Sequence, residues 1–256
     1  MTLDYDVQFF ATDLPDWVCP TCALGHLFLE KKSYHASLMT ENGHKCMQHP
    51  EMEPEWITER GVFALQCRNP KCQEAVVLIA DGSVEEYWDE QIPSEYHKGR
   101  QYAAFFTPRM FHPPLRYFTI PGDVPLPVSE LIDESFSLAW SHQNASGNAI
   151  RRSVETLMSE FKIAKTVLNK RGKRQPSDLH ARIEKFKAKN AECAELLLAI
   201  KWLGNAGSHG GKELKKSDLV DAYEIYEKVL NILYDSKAKS IVQKAKAINK
   251  RKGPKK

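Results

Sequence analysis

The chain has 256 residues, of which 42% are hydrophobic and 27% charged, and its formal net charge is +3. This is an ordinary globular balance, long enough for one large or two small domains, and so small a net charge neither demands nor excludes a nucleic-acid partner. No apolar run approaches the length of a membrane span, Ala75–Ala80 being among the longest, and Met1–Asp6 carries neither a basic nor an apolar leader. The expectation is a cytoplasmic protein with no membrane partner. In that reducing setting six cysteines favour metal ligation or burial over disulfides.

Residues 1 to about 120 lack helical periodicity and are dense in prolines and aromatics. Gly61–Cys67 and Glu74–Ala80 read as two strands joined by the tight turn Cys67-Arg-Asn-Pro-Lys-Cys72. Asp81-Gly82 reads as a further turn before Val84–Trp88. Upstream, Trp17-Val-Cys-Pro-Thr-Cys22 carries a second cysteine pair. Cys19 and Cys22, with Cys67 and Cys72, are two knuckles that together would supply four thiolates to one tetrahedral Zn2+. The long gap between the pairs holds His26, His44, Cys46 and His49, any of which could replace a ligand. Four protein ligands leave no open position for water, so this zinc ribbon is expected to be structural. Cys193 falls in an apolar helix and reads as core.

Phe105, Phe106, Phe111, Tyr117 and Phe118 lie among Arg100, Arg109 and Arg116. Such a mixture suits single-stranded nucleic acid, and a core strand pair would produce it equally well. Prolines at 108, 113, 114, 121, 125 and 127 then predict an extended connector, with the domain boundary near Gly122. From Ser129, read as an N-cap, the period is helical. The predicted helices run from Ser129 to about Gln143, from about Ala149 to Asn169, onward from a cap at Ser177, through Leu196–Trp202, and onward from a cap at Ser217. Asn144–Gly147 reads as a break and Lys170–Pro176 as a basic loop. The lysine-rich tail after Asp235 contains no acidic residue, so it is either a solvated tail or a source of non-specific phosphate affinity. The expected architecture is α+β: a β-rich zinc-ribbon domain over 1–122, an all-α bundle over 123–235, and a basic tail over 236–256.

The chain is organised around Leu196–His209. An apolar helix there meets Gly204 and Gly207, with Asn205 and His209 one helical turn apart on a shared face. Arg151 and Glu155 are spaced for an i,i+4 pair, and Arg152 lies three residues before Glu155. Arg152 is either a phosphate ligand near His209, oriented by Glu155, or part of a clamp between its helix and the Gly204 turn. The sequence has no phosphate-binding loop and no nucleophile elbow, which removes two common enzyme classes.

The Cys-Pro-x-Cys start, the proline-rich connector, Arg152-Ser-Val-Glu155, Trp202-Leu-Gly-Asn-Ala-Gly-Ser-His209 and Asp221-Ala-Tyr223 together resemble the prokaryotic domain-of-unknown-function family four-one-four-five. The resemblance covers roughly Pro125–Tyr234. It implies an association with restriction and anti-phage defence. The bundle is also similar to HEPN domains, helical dimers many of which are metal-independent ribonucleases, and that similarity implies a homodimer. Aligned on Asn205 and His209, the HEPN arginine position falls on Gly204, which can neither bind nor polarise a phosphate. The leading expectation is therefore a non-catalytic protein binding nucleic acid, RNA or DNA, or a protein partner. The alternatives are a ribonuclease using His209 with Asn205 and Arg152 (or Lys201), and an antitoxin or assembly subunit that contacts protein only.

Overall fold

Alternation of large apolar with small or polar residues is what makes the first half a sheet. In the computed structural model, which describes residues 3–29, 35–88, 100–169, 171–206, 213–234 and 236–253, β4 (Thr58–Cys67) buries Gly61, Phe63, Leu65 and Cys67 and turns the residues between them outward. The next strand, β5 (Ala75–Trp88), buries Val76, Leu78, Ala80 and Gly82 in the same way. These two and β6 (Arg100–His112) are antiparallel neighbours. Short β1 (Phe9–Phe10) flanks β6, while β2 (Leu27–Leu29) and β3 (His35–Met39) both pair with β4, giving the order β1-β6-β5-β4-β2. A seven-residue helix α1 (Glu41–Met47), capped by the Thr40 hydroxyl, follows β3.

Asp81-Gly82 is not a turn. Both residues lie inside β5, just past a bulge between Ile79 and Ala80. The Asp81 carboxylate is held by Arg109 Nε at 2.7 Å and Arg60 Nη1 at 3.2 Å. A Cβ on either Gly61 or Gly82 would stand 2.8 Å from Cε1 of Phe106, so the two glycines make room for that ring. The ring belongs to a core built largely of aromatics. Phe63 packs on Phe9 and Phe106 with centroids 5.3 and 5.0 Å away, and Phe111 on Trp17 and Trp140, both at 4.9 Å. Phe106, Phe111 and Tyr117 are buried core residues. Pro108 sits within β6 rather than in a connector.

The chain divides into two compact units, one of residues 1–117 and 136–141, the other of 118–135 and 142–256. In the second, α3 (Gln143–Glu160), α4 (Leu179–Phe186), α5 (Ala191–Ala206) and α6 (Lys216–Tyr234) surround a core that includes Ile150, Val154, Leu157, Ile183, Leu197, Leu219, Tyr223 and Tyr226, and Phe118 is also buried in this unit. The unit also holds the first turns of α2 (Leu126–Leu138). Helix α3 differs from its predicted span at both ends. Helix α3 runs straight through Asn144–Gly147, because tertiary contacts replace the break: Asn144 Oδ1 accepts from Leu214 N at 2.9 Å, and Ser146 is buried and hydrogen-bonded. It then stops nine residues before Asn169. Lys162 takes a left-handed φ of 59°, and the Ile163 and Lys162 amides close on the carbonyls of Met158 and Ser159. This is a helix stop of the kind glycine usually makes, here made by lysine.

The predicted basic loop is a β-hairpin, β7 (Thr166–Leu168) with β8 (Arg174–Pro176). Asp178, not Ser177, caps α4, accepting from Ala181 N at 2.8 Å. The lysine-rich tail is helical from Ser236 to Arg251, as α7. Among the described residues no helix is long and apolar enough to cross a membrane.

Candidate metal centre and the helical motif residues

The tip of the β4–β5 hairpin and the segment leading to β2 bring four sulfurs together. The Sγ atoms of Cys19, Cys22, Cys67 and Cys72 all lie within 4.8 Å of one another. Cys19 and Cys72 are 3.8 Å apart, and Cys22 and Cys67 3.7 Å. A tetrahedral ion with metal–sulfur bonds of about 2.3 Å requires sulfurs about 3.8 Å apart. These distances therefore meet the geometric demand of a four-thiolate site. His44 and Cys46, on α1, and His26 and His49 are outside the cluster. His49 packs instead against Trp56, at 5.3 Å.

Each knuckle is a turn whose backbone serves its sulfur. Gly25 N reaches Cys22 Sγ at 3.4 Å and Asn69 N reaches Cys67 Sγ at 3.4 Å. Left-handed Ala23, φ 53°, and Gln73, φ 52°, turn the chain after each pair. Sequence reading missed two residues of this site. Gly25 lies so close to Cys67 that any Cβ would collide with its sulfur. Asn69 reaches across the knuckles, its Nδ2 3.6 Å from Cys22 Sγ. The visible signal was only a glycine and an asparagine near the knuckles, residues that many turns share.

Cys22 and Cys67 are shifted in opposite directions. Backbone amides of Gly25 and Leu24 bring Cys22 down from the usual thiol value of 9.0 to about 6. Burial pushes Cys67 up to about 12. Four thiols gathered this closely, two of them buried, are compatible with a bound metal cation. Cys193 is different: it is buried in α5, and burial raises it to about 11, as befits an inert core thiol.

Of the two arginines spaced to reach Glu155, the i,i+4 one takes it. Glu155 is held by Arg151, Nη2 to Oε1 at 3.0 Å. Arg152 turns to α2 and pairs with Glu134, also at 3.0 Å. The arginine that passes against Gly204 is Arg151. A Cβ on Gly204 would stand 2.7 Å from the Cβ of Arg151 and 2.9 Å from the carbonyl oxygen of Gly147. Helices α3 and α5 thus touch backbone to backbone, and no side chain fits at Gly204. Asn205 lies half-buried in the last turn of α5. His209 lies outside the described residues. Lys201 is buried, its ammonium 3.3 Å from the ring centre of exposed Trp202. Arg182, on α4, is a further buried charge that the spacing did not reveal. Its Nη2 donates to Ser159 Oγ at 2.9 Å and to the Ile163 carbonyl at 3.3 Å. Burial lowers its pKa, and the charge of Glu155 opposes that shift.

Residues 133–251 match the family described as Domain of unknown function (DUF4145), and residues 7–111 match Domain of unknown function (DUF8608). The first is the family that the helical motifs resemble. No curated protein and no solved structure matches the chain.

Proposed function

We propose that this chain is a non-catalytic nucleic-acid-binding protein whose first half is held together by a structural zinc ion on Cys19, Cys22, Cys67 and Cys72. Bound there, zinc cross-links two loops and leaves no coordination position for substrate. The observation that carries the binding role is α7. This helix bears Lys237, Lys239, Lys244, Lys246, Lys250 and Arg251 with no acidic residue, and its described side chains are exposed, Ile241 at 64% and Ile248 at 47%. So many uncompensated cations on one exposed helix suit a polyanion, and lysine's point charge suits phosphate rather than base recognition. We extend the proposal to prokaryotic anti-phage defence or restriction on the family resemblance alone.

The test is fluorescence anisotropy of the full chain with labelled RNA and DNA across a salt series, beside a variant with Lys244, Lys246, Lys250 and Arg251 all changed to Gln. The expected result is binding that weakens with salt, the logarithmic slope falling by about 0.9 for each phosphate contact removed. No binding to any nucleic acid overturns the proposal in favour of a protein partner. RNA cleavage that disappears in His209→Ala overturns its non-catalytic part.

A further inference from the structure

The β7–β8 hairpin carries an inference that rests on the nucleic-acid reading and narrows it. Between Phe161 and Ser177 the chain has Lys162, Lys165, Lys170, Arg171, Lys173 and Arg174 and no acidic residue. The nearest acids stand at its base, and one of them, Asp178, is occupied in capping α4. Arg171, Lys173 and Arg174 are all exposed. So is Leu168, at 68%, an unusual place for a large apolar side chain beside so many charges. Leu168 and Arg174 are direct cross-strand partners and so project from one face of the ribbon.

The ribbon is preorganised. At its tip Asn169 Oδ1 accepts from the amides of Arg171 and Lys173 at 2.9 and 3.0 Å, while Gly172, φ 70°, donates to the Asn169 carbonyl at 2.9 Å. At its base Ser177 N donates to the Lys165 carbonyl at 2.8 Å, and Lys189 Nζ donates to the Phe161 carbonyl at 2.7 Å. Arg182 holds the Ile163 carbonyl from the buried side. A cationic element fixed in this way need not lose loop entropy on binding.

We infer that the β7–β8 hairpin enters the major groove of double-stranded DNA. Three paired residues span about 10 Å, and a two-stranded ribbon fits a groove about 12 Å wide and 8.5 Å deep. The tip and flanking cations meet the phosphates on either side. The Leu168 and Arg174 face offers what base edges in that groove accept, an apolar contact and a forked donor. Two other ligands fit less well. A-form RNA has a major groove too deep and narrow for side chains to read. Single strands are bound by stacking, and residues 162–177 include no aromatic.

The test uses the full chain with 20-base-pair DNA, the matching RNA duplex and single-stranded DNA as probes. The variants are Leu168→Ala and a triple variant, Arg171→Ala with Lys173→Ala and Arg174→Ala. All these side chains are exposed, so both variants should melt at the wild-type temperature. The triple variant is expected to lose tenfold or more in duplex-DNA affinity and about three from its salt slope. Leu168→Ala is expected to weaken duplex DNA a few-fold with the slope unchanged. Wild-type affinity and slope in the triple variant overturn this inference, and so does equal or tighter binding of duplex RNA or single strands. In those cases the α7 variant still reports on the broader reading, which falls only if wild-type protein binds none of the three.

Discussion

The two halves of the molecule satisfy their buried polar groups by opposite means. The first gathers four thiols at a hairpin tip, with Cys19 and Cys67 buried, an arrangement compatible with a bound metal. The second closes a set of buried hydroxyls on one another. Ser135, Ser146 and Tyr223 form a buried triangle with each pair of hydroxyls 2.9 Å apart, and Ser153 donates to Tyr226 at 3.0 Å. Burial raises Tyr226 well above the ordinary phenol value, which keeps its hydroxyl neutral and able to hydrogen-bond. With zinc on the four sulfurs, as proposed, one half would depend on an outside ligand and the other on close packing, so they should fail under different insults.

Metal removal breaks the comparison most sharply. Chelation, or Cys67→Ser, should cost the first unit most of its order, since structural zinc is worth on the order of 10 kcal/mol in small domains. Hydrogen exchange should show lost protection in β2, β4 and β5, with α3, α5 and α6 unchanged. Equal loss in both halves, or none in either, would contradict the asymmetry. Acid should act like a chelator. Metal-bound thiolates titrate below the ordinary 9.0, so the stability they bring is complete above that value and drains away as pH falls. Zinc measured on the protein should therefore fall between neutral pH and pH 5.

Gly204→Ala should come next, and only in the second unit. The added methyl meets backbone at Gly147, which cannot swing aside, so a loss of about 1–3 kcal/mol in urea unfolding is expected. A neutral result would mean that α3 and α5 are not so closely packed. Tyr223→Phe removes one corner of the hydroxyl triangle and should cost about 1–2 kcal/mol, with zinc content unaffected. Arg152→Ala should do least, a few tenths of a kcal/mol, because its pair with Glu134 is half exposed. A loss above 2 kcal/mol would assign Arg152 a buried role that its geometry lacks.

Much of this was legible in the residues. The cysteine spacings pointed to the right four sulfurs, because a metal knuckle needs two ligands a few residues apart and a turn between them. The helical period marked the second half as helical from about Ser129 onward, because burial along a helix repeats every 3.6 residues. Local signals failed where a distant group replaced the local one. Asp81-Gly82 looks like a turn until Arg60, Arg109 and the Phe106 ring fill the space around it. Asn144–Gly147 looks like a break until Leu214 and Tyr223 supply its hydrogen bonds. Lys162 ends α3 without any of the residues that usually announce an end.

The same division holds for the sites. Composition and spacing by themselves determined an α+β chain, a four-cysteine cluster, helices from about Ser129 onward and a cationic tail, since each rests on residue types and intervals alone. Only the tertiary structure decided that Glu155 belongs to Arg151 while Arg152 belongs to Glu134, that Gly25 and Gly204 are glycines because another element passes within contact distance, and that a stretch of lysines and arginines is a hairpin with an exposed leucine on its face. Pairing among several nearby charges, and the space left for a side chain, are set by which surfaces meet, and a linear spacing does not carry that information.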